Sequence, residues 1–178
     1  MGKRRLSKAL PGLRPAPDVA WRAFQLNPDL PKAGVPRDAY RAAKFGDRAR
    51  ELEERVADAG RADGVDFRFD LIQTVPNTFD AHRVLRRALR EGRQDEVHEA
   101  LFRAYFQEGR DLGDPKVLAD ASGIVLAGDE EAEEVRREEA EGRALGIRGV
   151  PFFVIDRAFG LSGAQPPDVL REALRRTC

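Results

Sequence analysis

Few residues in this chain have the chemistry of a nucleophile, a metal ligand or a proton carrier. The single cysteine, Cys178, is the last of 178 residues. One thiol supports neither an internal disulfide, nor a two-cysteine redox cycle, nor a zinc cluster. The two histidines, His82 and His98, stand 16 residues apart with no acidic ligand pattern around them, so no metal site is expected. His82 shares a helical stripe with Thr78, Leu85 and Leu89, the setting of a partly buried histidine with one hydrogen bond. Asn77 and Thr78 stand just ahead of that stripe, in position to cap a helix. The most informative stretch is Gly149-Val150-Pro151, which runs directly into the apolar Phe152-Phe153-Val154-Ile155. A proline at the mouth of a buried strand removes a backbone donor and tolerates a cis peptide bond.

Around these residues the composition is balanced. Thirty-one basic and 31 acidic residues cancel, so no global field draws in nucleic acid or an anionic membrane. Charged residues make up 35% of the chain, and no apolar run reaches the length of a membrane span or a secretory segment. The expectation is a soluble cytoplasmic protein without a cofactor, folded as one domain over residues 1–178.

The elements that must position the site follow from periodicity. Leu6, Ala9, Leu10 and Leu13 predict an amphipathic helix starting almost at Met1. Val19–Leu26 is apolar on both faces and predicts a covered strand. From about residue 37 to 145 the period is helical. Ala49, Leu52, Val56 and Ala59 form one stripe, and Val97, Leu101, Ala104 and Tyr105 another. Glu130–Glu141 is a dense charge run, read as a solvated helix face. After Pro151, two short strands and a helix from Pro167 close the chain.

The residues also carry a resemblance. Gly2-Lys3-Arg4-Arg5-Leu6, Phe24-Gln25-Leu26-Asn27-Pro28, Asp66-Phe67-Arg68-Phe69-Asp70 and Pro76-Asn77-Thr78-Phe79-Asp80-Ala81-His82-Arg83 occur in that order. Leu101-Phe102-Arg103-Ala104-Tyr105-Phe106, Gly149-Val150-Pro151-Phe152-Phe153 and Leu161-Ser162-Gly163-Ala164-Gln165-Pro166 complete the set. Together they resemble the DsbA-like thioredoxin family, and within it the cytoplasmic FrnE-type branch. The resemblance implies an α/β, thioredoxin-like fold with a large helical insertion at about 37–145 and a cis Val150–Pro151 bond. It implies thiol or disulfide peptides as partners, docked on the backbone of Val150 by strand addition. Gly149, Val150 and Pro151 would form that docking edge, with His82 and Asn77 lining the groove opposite unless they are purely structural.

The same resemblance places a Cys-x-x-Cys motif, and the central strand leading into it, directly before Gly2. The printed sequence has neither, and no catalytic residue is expected within residues 1–178. In the family, the helix that begins here at Gly2 would lower the first thiol's pKa through its unpaired amides. That thiolate would attack a substrate disulfide, and the second cysteine would resolve the mixed disulfide. Cys178 would be incidental. The expectation is therefore a thiol-disulfide oxidoreductase by family, N-terminally truncated and redox-inactive as printed. An open slot in the sheet would make it marginal in stability, since each unpaired buried backbone group costs about 1–3 kcal/mol. Two other readings stay open. One is a redox-inactive, chaperone-like peptide-binding protein. The other is a relative of glutathione-dependent 2-hydroxychromene-2-carboxylate isomerases and kappa glutathione transferases, against which the Gly-Lys-Arg-Arg-Leu stretch argues.

Overall fold

A helix starting at Gly2 has its stripe to bury, and the burial happens at the far end of the chain. In the computed structural model, which describes residues 1–176, α1 (Gly2–Ala9) buries Leu6 and Ala9. Its partner is α8 (Pro167–Arg175), which buries Leu170, Ala173 and Leu174 and opens on Pro167 with Asp168 in its first turn. A proline there gives up only an amide that has no helical partner anyway. The guanidinium of Arg171 donates to the carbonyls of Lys8 (2.9 Å) and Ala9 (3.1 Å), closing the C-terminal end of α1 from outside.

This pair covers one face of a hairpin formed by β3 (Phe152–Ile155) and β4 (Phe159–Ser162). The strands are antiparallel, with Phe153 opposite Leu161 and Ile155 opposite Phe159. Period-2 alternation turns Phe153, Ile155 and Leu161 toward α1 and α8. Asp156 (φ 49°) and Arg157 (φ 60°) make the turn in a left-handed conformation that glycine or asparagine would adopt more cheaply.

A second core is built mainly from helices, with Leu112 and Ile124 added from the loops on either side of one of them. It joins α4 (Phe79–Arg90), α5 (Gln94–Phe106) and α6 (Pro115–Ser122) through Val84, Ala88, Val97, Leu101, Ala104 and Leu118. Each buried Val or Leu side chain contributes about 1.5–3 kcal/mol of transfer free energy. The start of α6 is set by Asp114, whose carboxylate accepts from Lys116 N–H at 2.8 Å ahead of Pro115. The two helices α2 (Arg37–Phe45) and α3 (Ala49–Ala62) are more loosely attached. Nothing in α2 is buried, and only Ala49 and Gly60 are buried in α3. A minimal sheet, β1 (Val35–Pro36) with β2 (Thr74–Val75), interrupts the expected helical stretch. No helix among the described residues is long and apolar enough to cross a membrane.

Two expectations need correction. Val19–Leu26 is extended but enters neither sheet among the described residues. Its backbone is held by side chains instead. Trp21 N–H donates to Gln94 Oε1 (2.9 Å), Ala23 N–H to Glu138 Oε2 (2.7 Å) and Gln25 N–H to Glu139 Oε1 (2.9 Å). Alternate amides of an extended chain share one edge, so three side chains on α5 and α7 (Ala132–Ala144) line up along it as a strand would. Nor is the segment covered on both sides, since Val19 and Leu26 are exposed. The second correction concerns Glu130–Glu141, which is not simply a solvated face. Glu131, Glu138 and Glu139 are buried. Glu138 meets Arg86 at 2.7 Å and Arg22 at 3.0 Å, and Glu131 meets Arg90 at 2.7 Å.

Candidate functional site

Gly2 meets Pro151 at the N-terminal end of α1. A Cβ built on Gly2 would lie 2.5 Å from Pro151 Cγ and 3.6 Å from the Phe153 ring, so only glycine lets the helix approach this closely. The Val150–Pro151 bond is cis. Pro151 C=O accepts from Gly163 N–H at 2.8 Å, which ties the loop to the turn after β4. Val150 is 52% exposed, and among the described residues its backbone makes no hydrogen bond. Gly149 stands beside it in open space, where a Cβ would meet nothing within 4 Å.

The first turn of α1 carries three cations and no acid, against the preference of a helix N-terminus for negative charge. Each cation has a partner elsewhere in the fold. Lys3 Nζ lies 3.0 Å from Asp95 and 3.2 Å from Glu99. Arg4 also pairs with Glu99, and Arg5 Nε donates to Asp63 at 2.7 Å. Arg5 Nη1 donates in addition to the carbonyl of Ala164.

The other expected site residues gather at the extended segment. Asn77 Nδ2 donates to Leu30 C=O (2.7 Å), and its Oδ1 accepts from Phe79 N–H (3.0 Å), a turn that opens α4. His82 on α4 hydrogen-bonds the backbone of Phe24, and burial pulls its pKa down to about 4. Its ring is crowded on nearly every side, although the residue as a whole keeps some accessible surface. The crowding governs its titration, because the charged imidazolium would lose solvent there. Gly149, Val150 and Pro151 thus stand with Gly2, whereas Asn77 and His82 grip Phe24–Leu30.

His98 belongs to the same neighbourhood and was read from sequence only as a histidine without ligands. Its ring lies between Trp21 (4.6 Å) and Phe102 (4.4 Å), stacked on both. Burial first, and Lys3 second, lower its pKa to about 4, while Asp95 and Glu99 oppose them. Sequence reasoning also missed Arg5, Asp63 and the carboxylates of α7. Arg5 lies 58 residues from Asp63 and 159 from Ala164, distances over which no local pattern carries a signal. Among the described residues no three His, Cys, Asp or Glu side chains converge in a way that could hold a metal ion. Cys178 lies outside the described residues.

The arrangement offers an exposed, unpaired backbone at Val150 beside the free amides of a helix N-terminus. That combination suits an extended peptide. The pattern of the DSBA-like thioredoxin domain matches residues 1–175. A crystal structure described as a probable DsbA oxidoreductase from Streptomyces coelicolor is 34% identical, with a TM-score of 0.87. The match covers 99% of this chain and 82% of that one. No curated protein matches. The chain is therefore a member of the DSBA-like thioredoxin domain family, a family of thiol-disulfide oxidoreductases.

Proposed function

We propose that the edge formed by Val150 and Pro151 beside the N-terminal end of α1 docks extended segments of thiol- or disulfide-bearing proteins, in the manner of a FrnE-type oxidoreductase. The observation that carries this reading is the contact of Gly2 with Pro151 beside the unpaired, half-exposed Val150. A peptide adding to Val150 by backbone pairing would run past the first turn of α1, where a thiolate gains from the helix amides. Gly149 leaves that approach open. Asn77 and His82 act one step back, by holding Phe24–Leu30 in place.

The cysteine count supports a second element of the proposal. With Cys178 as its one cysteine, the chain of residues 1–178 on its own binds peptides without exchanging disulfides. We place this binding in the cytoplasm, on the FrnE-like motifs and the balanced charge, with neither nucleic acid nor membrane as partner.

The test is a titration of residues 1–178 with a short acetylated peptide of alternating valine and threonine, followed by amide chemical shifts. Weak, saturable shifts at residues 148–153, reduced in Pro151→Ala, are the expected result. Shifts confined to other surfaces, or unaltered by Pro151→Ala, would rule this edge out.

A further inference from the structure

We propose that Arg5 is a positioning residue: it fixes the Pro151 loop against the N-terminal end of α1 and ties both to α3. The inference rests on the docking site proposed above. Its basis is one continuous chain of polar contacts. Pro151 C=O accepts from Gly163 N–H at 2.8 Å. One residue on in the same turn, the carbonyl of Ala164 accepts from Arg5 Nη1. Arg5 Nε donates to Asp63 at 2.7 Å, and Asp63 is the C-cap residue of α3 with its side chain only 9% exposed.

Arginine is suited to this place because its planar fork sends separate donors in fixed, different directions, Nε to Asp63 and Nη1 to Ala164 C=O, whereas a lysine ammonium offers its donors from a single point. The position is also informative. Gly2, three residues before Arg5, touches Pro151 directly, so the spacing between α1 and the loop is held at two points. The first turn does not act as a positive field. Lys3, Arg4 and Arg5 face Asp95, Glu99 and Asp63, three charges against three. What remains is geometry. The link matters most for α2 and α3, which bury almost nothing of their own and depend on such ties. Without Arg5 the loop carrying Val150 stays fastened to β4, but to α1 only through the packing of Gly2 on Pro151, with no polar link.

The test uses the chain of residues 1–178 with Arg5→Ala, Arg5→Lys and Asp63→Asn, and Lys3→Gln as a control that removes a cation from the same turn. Two readouts are needed: hydrogen exchange at the Gly163 amide, with Leu170 as core reference, and the valine-threonine peptide titration. In Arg5→Lys the Leu170 amide and the melting temperature stay near wild type. The Gly163 amide exchanges about tenfold faster and peptide affinity falls by a similar factor. Lys3→Gln leaves Gly163 at the wild-type rate. Unaltered Gly163 exchange in both Arg5 variants would overturn the proposal, and so would equal loss of protection at Leu170, which marks general destabilisation. If wild type shows no peptide shifts at 148–153 while Gly163 still responds to Arg5→Lys, the docking reading fails and the positional role of Arg5 stands.

Discussion

Phe152–Ile155 and Val19–Leu26 have similar apolar residues, and from sequence both read as strands. The first finds a neighbour across a turn of Asp156-Arg157-Ala158 and pairs with β4 through its backbone. The second has no strand beside it among the described residues, and Gln94, Glu138 and Glu139 take its alternate amides. A strand is a relation between two stretches of chain, so one apolar run yields a sheet and the other a laced segment. The physical consequences differ as well. Backbone pairing is neutral and insensitive to pH, whereas the lacing depends on ionised and buried groups.

The largest expected contrast is with acid. His82 hydrogen-bonds Phe24 and His98 stacks on Trp21, and burial holds both pKa values near 4. An unfolded histidine titrates near 6.5, so between that pH and about 4 the unfolded chain binds protons that the folded chain refuses. Stability is therefore complete above pH 6.5 and declines as the pH falls toward 4, by about 3 kcal/mol for each histidine. Amide exchange at Trp21, Ala23 and Gln25 should accelerate at a higher pH than at Phe153 and Leu161. Coincident loss of protection at both sets would break the contrast. His98→Phe should remove about half of the acid dependence.

Glu138→Ala comes next. It strips a buried acceptor from Ala23 N–H and leaves Arg86, itself mostly buried, short of its nearest carboxylate. A loss of about 3–5 kcal/mol is expected in urea unfolding. A loss below about 1 kcal/mol would mean that the segment is not held by this residue. On the hairpin side, Gly2→Ala presses a methyl into Pro151 and should cost about 1–3 kcal/mol, measured as a lower melting temperature. The smallest effect is a gain. Asn-Gly in place of Asp156-Arg157 relieves two left-handed residues and should stabilise the hairpin by about 1 kcal/mol without touching the laced segment.

What was legible in the sequence was what is local. The hairpin, α8 behind Pro167 and the turn made by Asn77 are all specified within a few residues of themselves, and they lie where the pattern puts them. The motif set was legible too, and the family that it resembles is the family found. What was not legible was pairing at a distance. The apolar run of Val19–Leu26 marks an extended chain but cannot say whether a strand or a row of side-chain acceptors will meet it. Glu138 and Glu139 looked like solvent-facing charges because the amides they accept from, of Ala23 and Gln25, lie more than a hundred residues away. The three cations in the first turn of α1 looked like a motif without a task until Asp63, Asp95, Glu99 and the Ala164 carbonyl appeared beside them.

The most direct test of the whole account is an insulin-reduction assay on two chains. One is residues 1–178; the other carries a strand and Cys-Pro-Trp-Cys-Tyr ahead of Gly2, so that a thiol stands at the N-terminal end of α1 facing Pro151. The account predicts background turnover for the first and disulfide reduction for the second, lost again when Gly2→Val pushes the helix off Pro151. Turnover by residues 1–178 that disappears in Cys178→Ser would contradict it, because the chemistry would then lie away from Gly2 and Pro151.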